Sequence, residues 1–310
     1  MAYNATKKVA DAEEHYERTK ARIEKIQSHF CKNARGTRMQ GKVCVITGVG
    51  SLKGIGRATA LLYAHEGAKH LYLLDFSPEN LPNLKSTIQK AYPDVKVTVI
   101  EADAANEAAI EDVCKQALKE EGKLDVFYAN AGIASTQPLE TTTAESYMNT
   151  MRVNALSVFL AIKHASAAMK HKNAAVGKVH TGGSIIVTAS VAGIRSGAGT
   201  VDYSASKAAV NSMAMTASYQ LQKTDIRVNA ICPGLIETGM TGATFDHARA
   251  RGSTGKVGQL NPLGRYGVAE EIAQLALFLG SDDSSYINGQ ALAADGGLSA
   301  SHPVVPGRWA

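Results

Sequence analysis

The stretch KVCVITGVGSLKGIGRATALLYAHEGAKHLYLLD, residues 42–75, runs from a short β-branched segment through a glycine-rich loop into a helical pattern, then into a second apolar segment. Strand, loop, helix and strand in this order form a βαβ unit. Gly48, Gly50, Gly54 and Gly56 stand in the loop, and a helix is expected from Gly56 to Glu66. Glycines let the chain turn tightly and let backbone N–H groups approach an anion, which a helix N-terminus also favours. The loop alone would serve equally as a plain turn. Asp75 ends the second strand about 20 residues further on, where a carboxylate accepts hydrogen bonds from a ribose. Loop and acid together read as a dinucleotide cradle; taken singly, Asp75 could cap the following helix.

The alternation continues outward. VKVTVIEAD (95–103), LDVFYANAG (124–132), GSIIVTAS (183–190), IRVNAICPG (226–234) and GQALAADGG (289–297) read as further strands, with helical segments between them, notably 144–171, 202–223 and 268–279. This predicts an α/β fold: a doubly wound, parallel, seven-stranded sheet, Rossmann-like, with helices on both faces. Residues 171–183 read as an exposed loop, and 235–262 as a mobile Gly/Thr-rich loop with a short helix. Upstream, Val9, Ala12, Tyr16, Thr19, Ile23, Ile26 and Phe30 share one helical face. A helix docked on its own domain or on a sister subunit is expected, followed by the linker KNARGTRMQG. The division predicted is an N-terminal helical extension and linker, 1–38, and one dinucleotide-binding catalytic domain, 39–310.

Composition narrows the classes. No apolar run reaches the ~18 residues of a membrane span, and the first residues lack a signal core. A cytoplasmic protein is expected. The net charge is +5, but residues 1–40 hold nine Lys/Arg against five Asp/Glu, so the rest is nearly neutral and no nucleic-acid surface is indicated. Cys31, Cys44, Cys114 and Cys232 lie far apart without CxxC spacing, and no HExxH pattern occurs. Reduced thiols and no metal are expected.

With these residues in place, the chain resembles the short-chain dehydrogenase/reductase family over roughly residues 40–297. Thr47-Gly48 and Gly54-Ile55-Gly56 match the family's TGxxxGxG loop with two extra residues; counting from Gly50 restores the spacing but loses the threonine. The resemblance implies that Asp103 lies beside adenine and that Asn130-Ala131-Gly132 is the turn after the fourth strand. It also implies that Pro233, Gly234 and Thr238 hold the nicotinamide end. Asn154, Ser190, Tyr203 and Lys207 match the catalytic set, and dimers or tetramers are common in the family. Asn154 alone would read as a satisfied polar residue in a helix, and Ser190 as a strand-end hydrogen bonder.

YxxxK by itself says little, because it occurs five times: Tyr3/Lys7, Tyr16/Lys20, Tyr92/Lys96, Tyr203/Lys207 and Tyr219/Lys223. Tyr203 is distinguished by Ser190, which ends a buried strand, and by the loop that returns the chain to a new helix. Both then converge on the carboxyl edge of the sheet, where α/β proteins bind ligands. Hydride transfer at a carbonyl carbon needs a proton moved at its oxygen. A tyrosine, of ordinary pKa ~10, needs a nearby cation such as Lys207 to act as base near neutrality. Lys207 can also hold the nicotinamide ribose, and Ser190 can polarise the carbonyl.

The expected activity interconverts a secondary alcohol and a ketone with NAD(P). NAD is the preferred cofactor, because Asp75 repels a 2′-phosphate and Phe76 supplies no cation; Lys53 could attract that phosphate or be a solvated loop lysine. A catalytically silent dinucleotide-binding scaffold is the alternative. Ala134, Ala192, Gly193, Gly197, Ala198 and Gly199 suggest either room for substrate or turn formation.

Overall fold

The computed structural model describes residues 2–28 and 34–301, with side chains from Glu13 onward. The Val9 and Ala12 side chains, the Tyr3/Lys7 pair, Phe30 and Cys31 lie outside the described residues. The elements are α1 (Ala2–Gln27), β1 (Val43–Thr47), α2 (Ile55–His65), β2 (His70–Asp75), α3 (Leu81–Ala91), β3 (Lys96–Glu101), α4 (Glu107–Glu121) and β4 (Val126–Ala129). Then come α5 (Ala144–Met151), a π-helical turn (Arg152–Leu156), α6 (Ser157–Met169), β5 (Gly183–Thr188), α7 (Val201–Gln220) and β6 (Ile226–Pro233). The last are β7 (Ile236–Glu237), α8 (Gly242–Ala250), β8 (Gly267–Val268), α9 (Ala269–Gly280) and β9 (Ala291–Ala294).

Seven strands form one parallel sheet in the order β3-β2-β1-β4-β5-β6-β9, as the alternation predicts. Continuous apolar runs such as VCVIT suit this arrangement, because both faces are covered. Cys44 and Ile46 face a core built with α2, α3 and α9; Val43 and Val45 face one built with α4, α6 and α7. The strand order reverses between β1 and β4. Their carboxyl ends therefore splay the following loops apart and open a crevice there. Among the described residues no helix is long and apolar enough to cross a membrane.

The expected helix 144–171 is not uniform. Thr143 and Ser146 close a capping box at its start, and the chain then widens into the π turn before α6. The expected loop 235–262 contains β7 and α8.

The N-terminal helix docks on its own chain. Thr19 and Ile26 are buried, and Ile23 packs with Ile26 against Phe245, Tyr266, Val268, Leu235 and Val257. His15 Nε2 lies 2.9 Å from the Gly264 carbonyl, and Tyr16 lies against Gly255. The linker is fastened too: Arg35 pairs with Asp94 at 2.8 Å, Arg38 with Glu66 at 2.7 Å, and Met39 is fully buried.

Candidate active site

The glycine loop lies in the crevice. Gly48 has φ +73° and donates to the Leu74 carbonyl at 2.8 Å. A Cβ on Gly48 would stand 2.7 Å from Ala131 Cα, and one on Gly56 2.3 Å from the Gly48 oxygen. Such separations exclude any side chain, so these glycines are demanded by close approach. Thr47 Oγ1 accepts from the Asn130 and Ala131 amides, each at 3.1 Å, and Asn130 Nδ2 donates to the Thr47 and Gly48 carbonyls. The loop after β1 and the turn after β4 are thus one hydrogen-bonded unit.

Asp75 Oδ2 accepts from the Gly50 amide at 2.7 Å, and Oδ1 accepts from Ser77 N–H at 2.9 Å. It does not cap α3, whose N-cap position is Asn80; Asn80 Nδ2 instead donates to the Gly50 carbonyl at 3.0 Å. Asp103 accepts from Arg152 at 2.6 Å and from the Ala105 amide at 2.8 Å. These two contacts hold its carboxylate below the usual range, against the upward pull of burial.

Two clefts share Gly48, Asp75, Ala131 and Gly132. One, of about 340 Å³, also involves Phe76, Asp103 and Arg152. The other, of about 220 Å³, is completed by Gly54, Ile55, Asn130 and Thr238. Their size, the carboxylates at one end and the glycine-closed cradle between them fit a dinucleotide. Pro233 and Gly234 line neither cleft; Gly234 donates to the Ala294 carbonyl at 3.1 Å and packs on Asp295. Of the two extra loop residues, Leu52 is 64% exposed, and Lys53 pairs with Glu237 at 3.2 Å. Arg249 binds the same Glu237 oxygen.

Beside Gly132 lie Asn154 and Lys207, and Lys207 leads on to Tyr203 and Ser190. A Cβ on Gly132 would be 3.1 Å from Asn154 Oδ1 and 3.4 Å from Lys207 Nζ. Asn154 sits in the π turn, fully buried; it accepts from the Ile133 amide at 2.8 Å and donates to the Ile133 carbonyl at 3.0 Å. Lys207 Nζ donates to the Thr188 carbonyl at 2.8 Å and lies 5.6 Å from the centre of the Tyr203 ring. Burial pushes the Lys207 ammonium down to about 8 and the Tyr203 phenol up, with the Ser190 side chain pulling the phenol back. Ser190 Oγ also accepts from the Ala192 amide at 3.1 Å.

Sequence reasoning missed several parts of this arrangement. The Thr188 carbonyl carries no residue-type signature. The Arg152 partner of Asp103 had no spacing to betray it. Thr47, by contrast, was visible as the residue opening the loop. Gly197, at φ +81° with open space around it, serves a turn, whereas two other small residues after Ser190 have a packing cause: a Cβ on Gly193 would lie 2.6 Å from the Lys207 carbonyl carbon, and one on Gly199 2.8 Å from the Tyr203 ring. They let this loop lie flat on α7.

A family model described as enoyl-(acyl carrier protein) reductase matches residues 48–299. A levodione reductase of Leifsonia aquatica is 36% identical over 270 residues, covering 86% of this chain and 97% of that protein. A 3-oxoacyl-(acyl-carrier-protein) reductase of Thermotoga maritima is 38% identical over 262 residues, covering 84% and 99%. Among solved structures, that of levodione reductase superposes with TM-score 0.75 at 35% identity, covering 86% of this chain and all of the other. A short-chain type dehydrogenase/reductase from Mycobacterium marinum gives 0.74 at 29% identity, covering 89% of this chain and all of that one.

Proposed function

Since the chain belongs to the short-chain dehydrogenase/reductase family and is a nicotinamide-dependent oxidoreductase, we propose that it interconverts a secondary alcohol and a ketone, with Tyr203 moving the proton. The observation that carries this reading is the meeting of Tyr203, Lys207 and Ser190, with the Lys207 ammonium beside Gly132, which lines both clefts. Of the relatives named above, one carries the name of a 3-oxoacyl reductase and another that of a levodione reductase.

The bound nicotinamide would supply or accept the hydride. Gly48, Gly54, Ile55, Gly56, Asn130, Ala131 and Thr238 would hold the phosphate and nicotinamide portion, and Asp75 and Asp103 the adenosine. Asp75 disfavours a 2′-phosphate, Phe76 is an exposed ring without charge, and Lys53 is committed to Glu237. NAD(H) is therefore the preferred partner. The raised Tyr203 pKa keeps its phenol protonated at neutral pH, the form that donates to a carbonyl oxygen. Ser190 would steady the developing oxyanion. Lys207 would hold the ribose, and its positive charge would stabilise the phenolate left after transfer.

The proposal extends to assembly as a homo-oligomer. Leu156 and Phe159 on one helix, and Met215 and Tyr219 on α7, are exposed apolar pairs at helical spacing.

The test is a panel of secondary alcohols and ketones assayed with NAD(H) and NADP(H). Turnover is expected with NAD(H) favoured, and Tyr203→Phe should lose about 100- to 10,000-fold while still binding cofactor. Retention of more than about a tenth of the activity would overturn Tyr203's role. Cofactor binding without turnover of any pair would instead indicate a silent binding protein.

A further inference from the structure

Helix α7 carries both Tyr203 and Lys207, so its rotation about its own axis decides where they point. Apolar packing specifies that rotation poorly. The buried residues of α7 beyond its first two turns are Val210, Asn211, Ala214 and Ala217, and small side chains form shallow ridges. Asn211 donates to the Gly193 carbonyl at 3.3 Å and accepts from Cys232 Sγ at 3.2 Å, and two further directional contacts to the neighbouring helix lie at the catalytic end. Thr150 Oγ1 donates to Asp202 Oδ2 at 2.8 Å, and Asn154 Nδ2 donates to Ser206 Oγ at 3.1 Å. Thr150 and Asn154 are four residues apart on one side, Asp202 and Ser206 four apart on the other, so the two bonds are rungs one turn apart. All four residues are buried, Asn154, Asp202 and Ser206 completely.

The rungs flank the reacting residues. Tyr203 follows Asp202 and Lys207 follows Ser206 in the sequence. Ser206 Oγ in turn donates to the Tyr203 carbonyl at 2.7 Å. Burial would raise the Asp202 pKa, but the hydroxyls of Thr200, Thr150 and Ser135 and the Tyr203 amide outweigh it and keep the carboxylate ionised. No donor among the described residues closes a well-formed bond to Oδ1, which leaves Thr150 as the formed link to the neighbouring helix.

We infer that Asp202 and Thr150 are positioning residues for the reaction: their buried rung, together with Asn154–Ser206, fixes the rotation of α7 and hence the aim of Tyr203. This rests on the dehydrogenase reading for its kinetic consequence, though not for its geometry.

The test uses the full-length protein labelled with 3-fluorotyrosine, the Tyr203 ¹⁹F resonance being assigned by its loss in Tyr203→Phe. Thr150→Val and Asp202→Leu each break the rung, the first by removing the donor and the second by removing the acceptor; Thr150→Ser keeps the hydroxyl. Thr150→Val should displace the Tyr203 resonance and lower kcat about tenfold with KM within about twofold, the pattern of a misaimed catalytic group. Thr150→Ser should restore both. If Thr150→Val fails to fold, Asp202→Leu, which keeps the branching but offers no acceptor, decides by the same readouts. A lower melting temperature with kcat and the Tyr203 resonance unmoved would overturn the inference and leave a merely structural bond. If the wild-type protein turned over no alcohol or ketone, the dehydrogenase reading would fall, and the resonance alone would judge the rung.

Discussion

Lys207 is a cation where charge is poorly solvated: it is 3% exposed, its ammonium bonds to the Thr188 carbonyl, and burial lowers its pKa to about 8. The unfolded lysine titrates near 10.4. Between about pH 8 and 10.4 the unfolded chain therefore binds more protons than the folded one, and this group makes stability rise with pH in that window. Below pH 8 it costs the fold. Lys207→Met, similar in length and uncharged, should melt no lower than wild type at pH 7, with the difference narrowing towards pH 10. Its turnover should fall by about 100-fold or more. Thermal melts at the two pH values beside an activity assay check both parts; a variant strongly destabilised at pH 7 would contradict the account. At this scale the sequence was informative where residue types recur at a motif's spacing, and silent on side-chain partners such as Arg152 and Thr150. Ser190, Tyr203 and Lys207 could be singled out among five YxxxK pairs because a strand, a loop and a new helix let them converge on one edge of the sheet. The acceptor of Lys207 was illegible, because a backbone carbonyl looks the same in every residue.

Between elements, the end of α4 is joined to β2 and β3 by a carboxylate. Glu121, 2% exposed as a side chain, accepts from His70 at 3.0 Å, Lys69 at 2.7 Å and Lys96 at 2.9 Å. Burial raises its pKa, but these three partners outweigh it and bring the carboxyl down to about 2. The free carboxyl titrates near 4.3. The contact therefore stabilises the fold above about pH 4.3 and is lost as pH falls towards 2. Glu121→Gln should cost about 1–3 kcal/mol at neutral pH, because it removes the negative charge that strengthens the hydrogen bonds from His70, Lys69 and Lys96. It should also flatten the loss of stability between about pH 4.3 and 2, as read by urea unfolding across that range. A variant with the wild-type acid profile would exclude Glu121 as the source. The seven strands and main helices were legible at this scale, because apolar runs separated by helical stretches admit few arrangements. The π turn was not: nothing in RVNAL distinguishes it from regular helix, and its widening depends on Asn154 gripping Ile133 across the crevice.

For the molecule as a whole, the apolar periodicity of residues 16–26 revealed a buried helical face but not what covers it. The covering surface, from Leu235 to Val268, is assembled by tertiary structure alone. Changing Ile23 and Ile26 together to Ser should lower the melting temperature and raise amide exchange across residues 235–268, with the seven-stranded sheet still protected. Hydrogen exchange read by mass spectrometry checks this; unchanged exchange there would mean the helix is not held. We place the removable extension before Ala34, because Arg35, Arg38 and Met39 are fastened to the body. If the proposed homo-oligomer forms, Phe159 and Tyr219, 50% and 74% exposed, should lie between subunits. Phe159→Glu is expected to reduce the assembled mass seen by light scattering, and an unchanged mass would remove that face from the interface. The docking of α1 also has a temporal side. His15 and Gly264 are 249 residues apart, so the ribosome releases the helix long before its partner exists. At about 5–20 residues per second the nascent helix waits roughly 10–50 s before the surface that covers Ile23 and Ile26 is made, an interval in which that apolar face is open to aggregation.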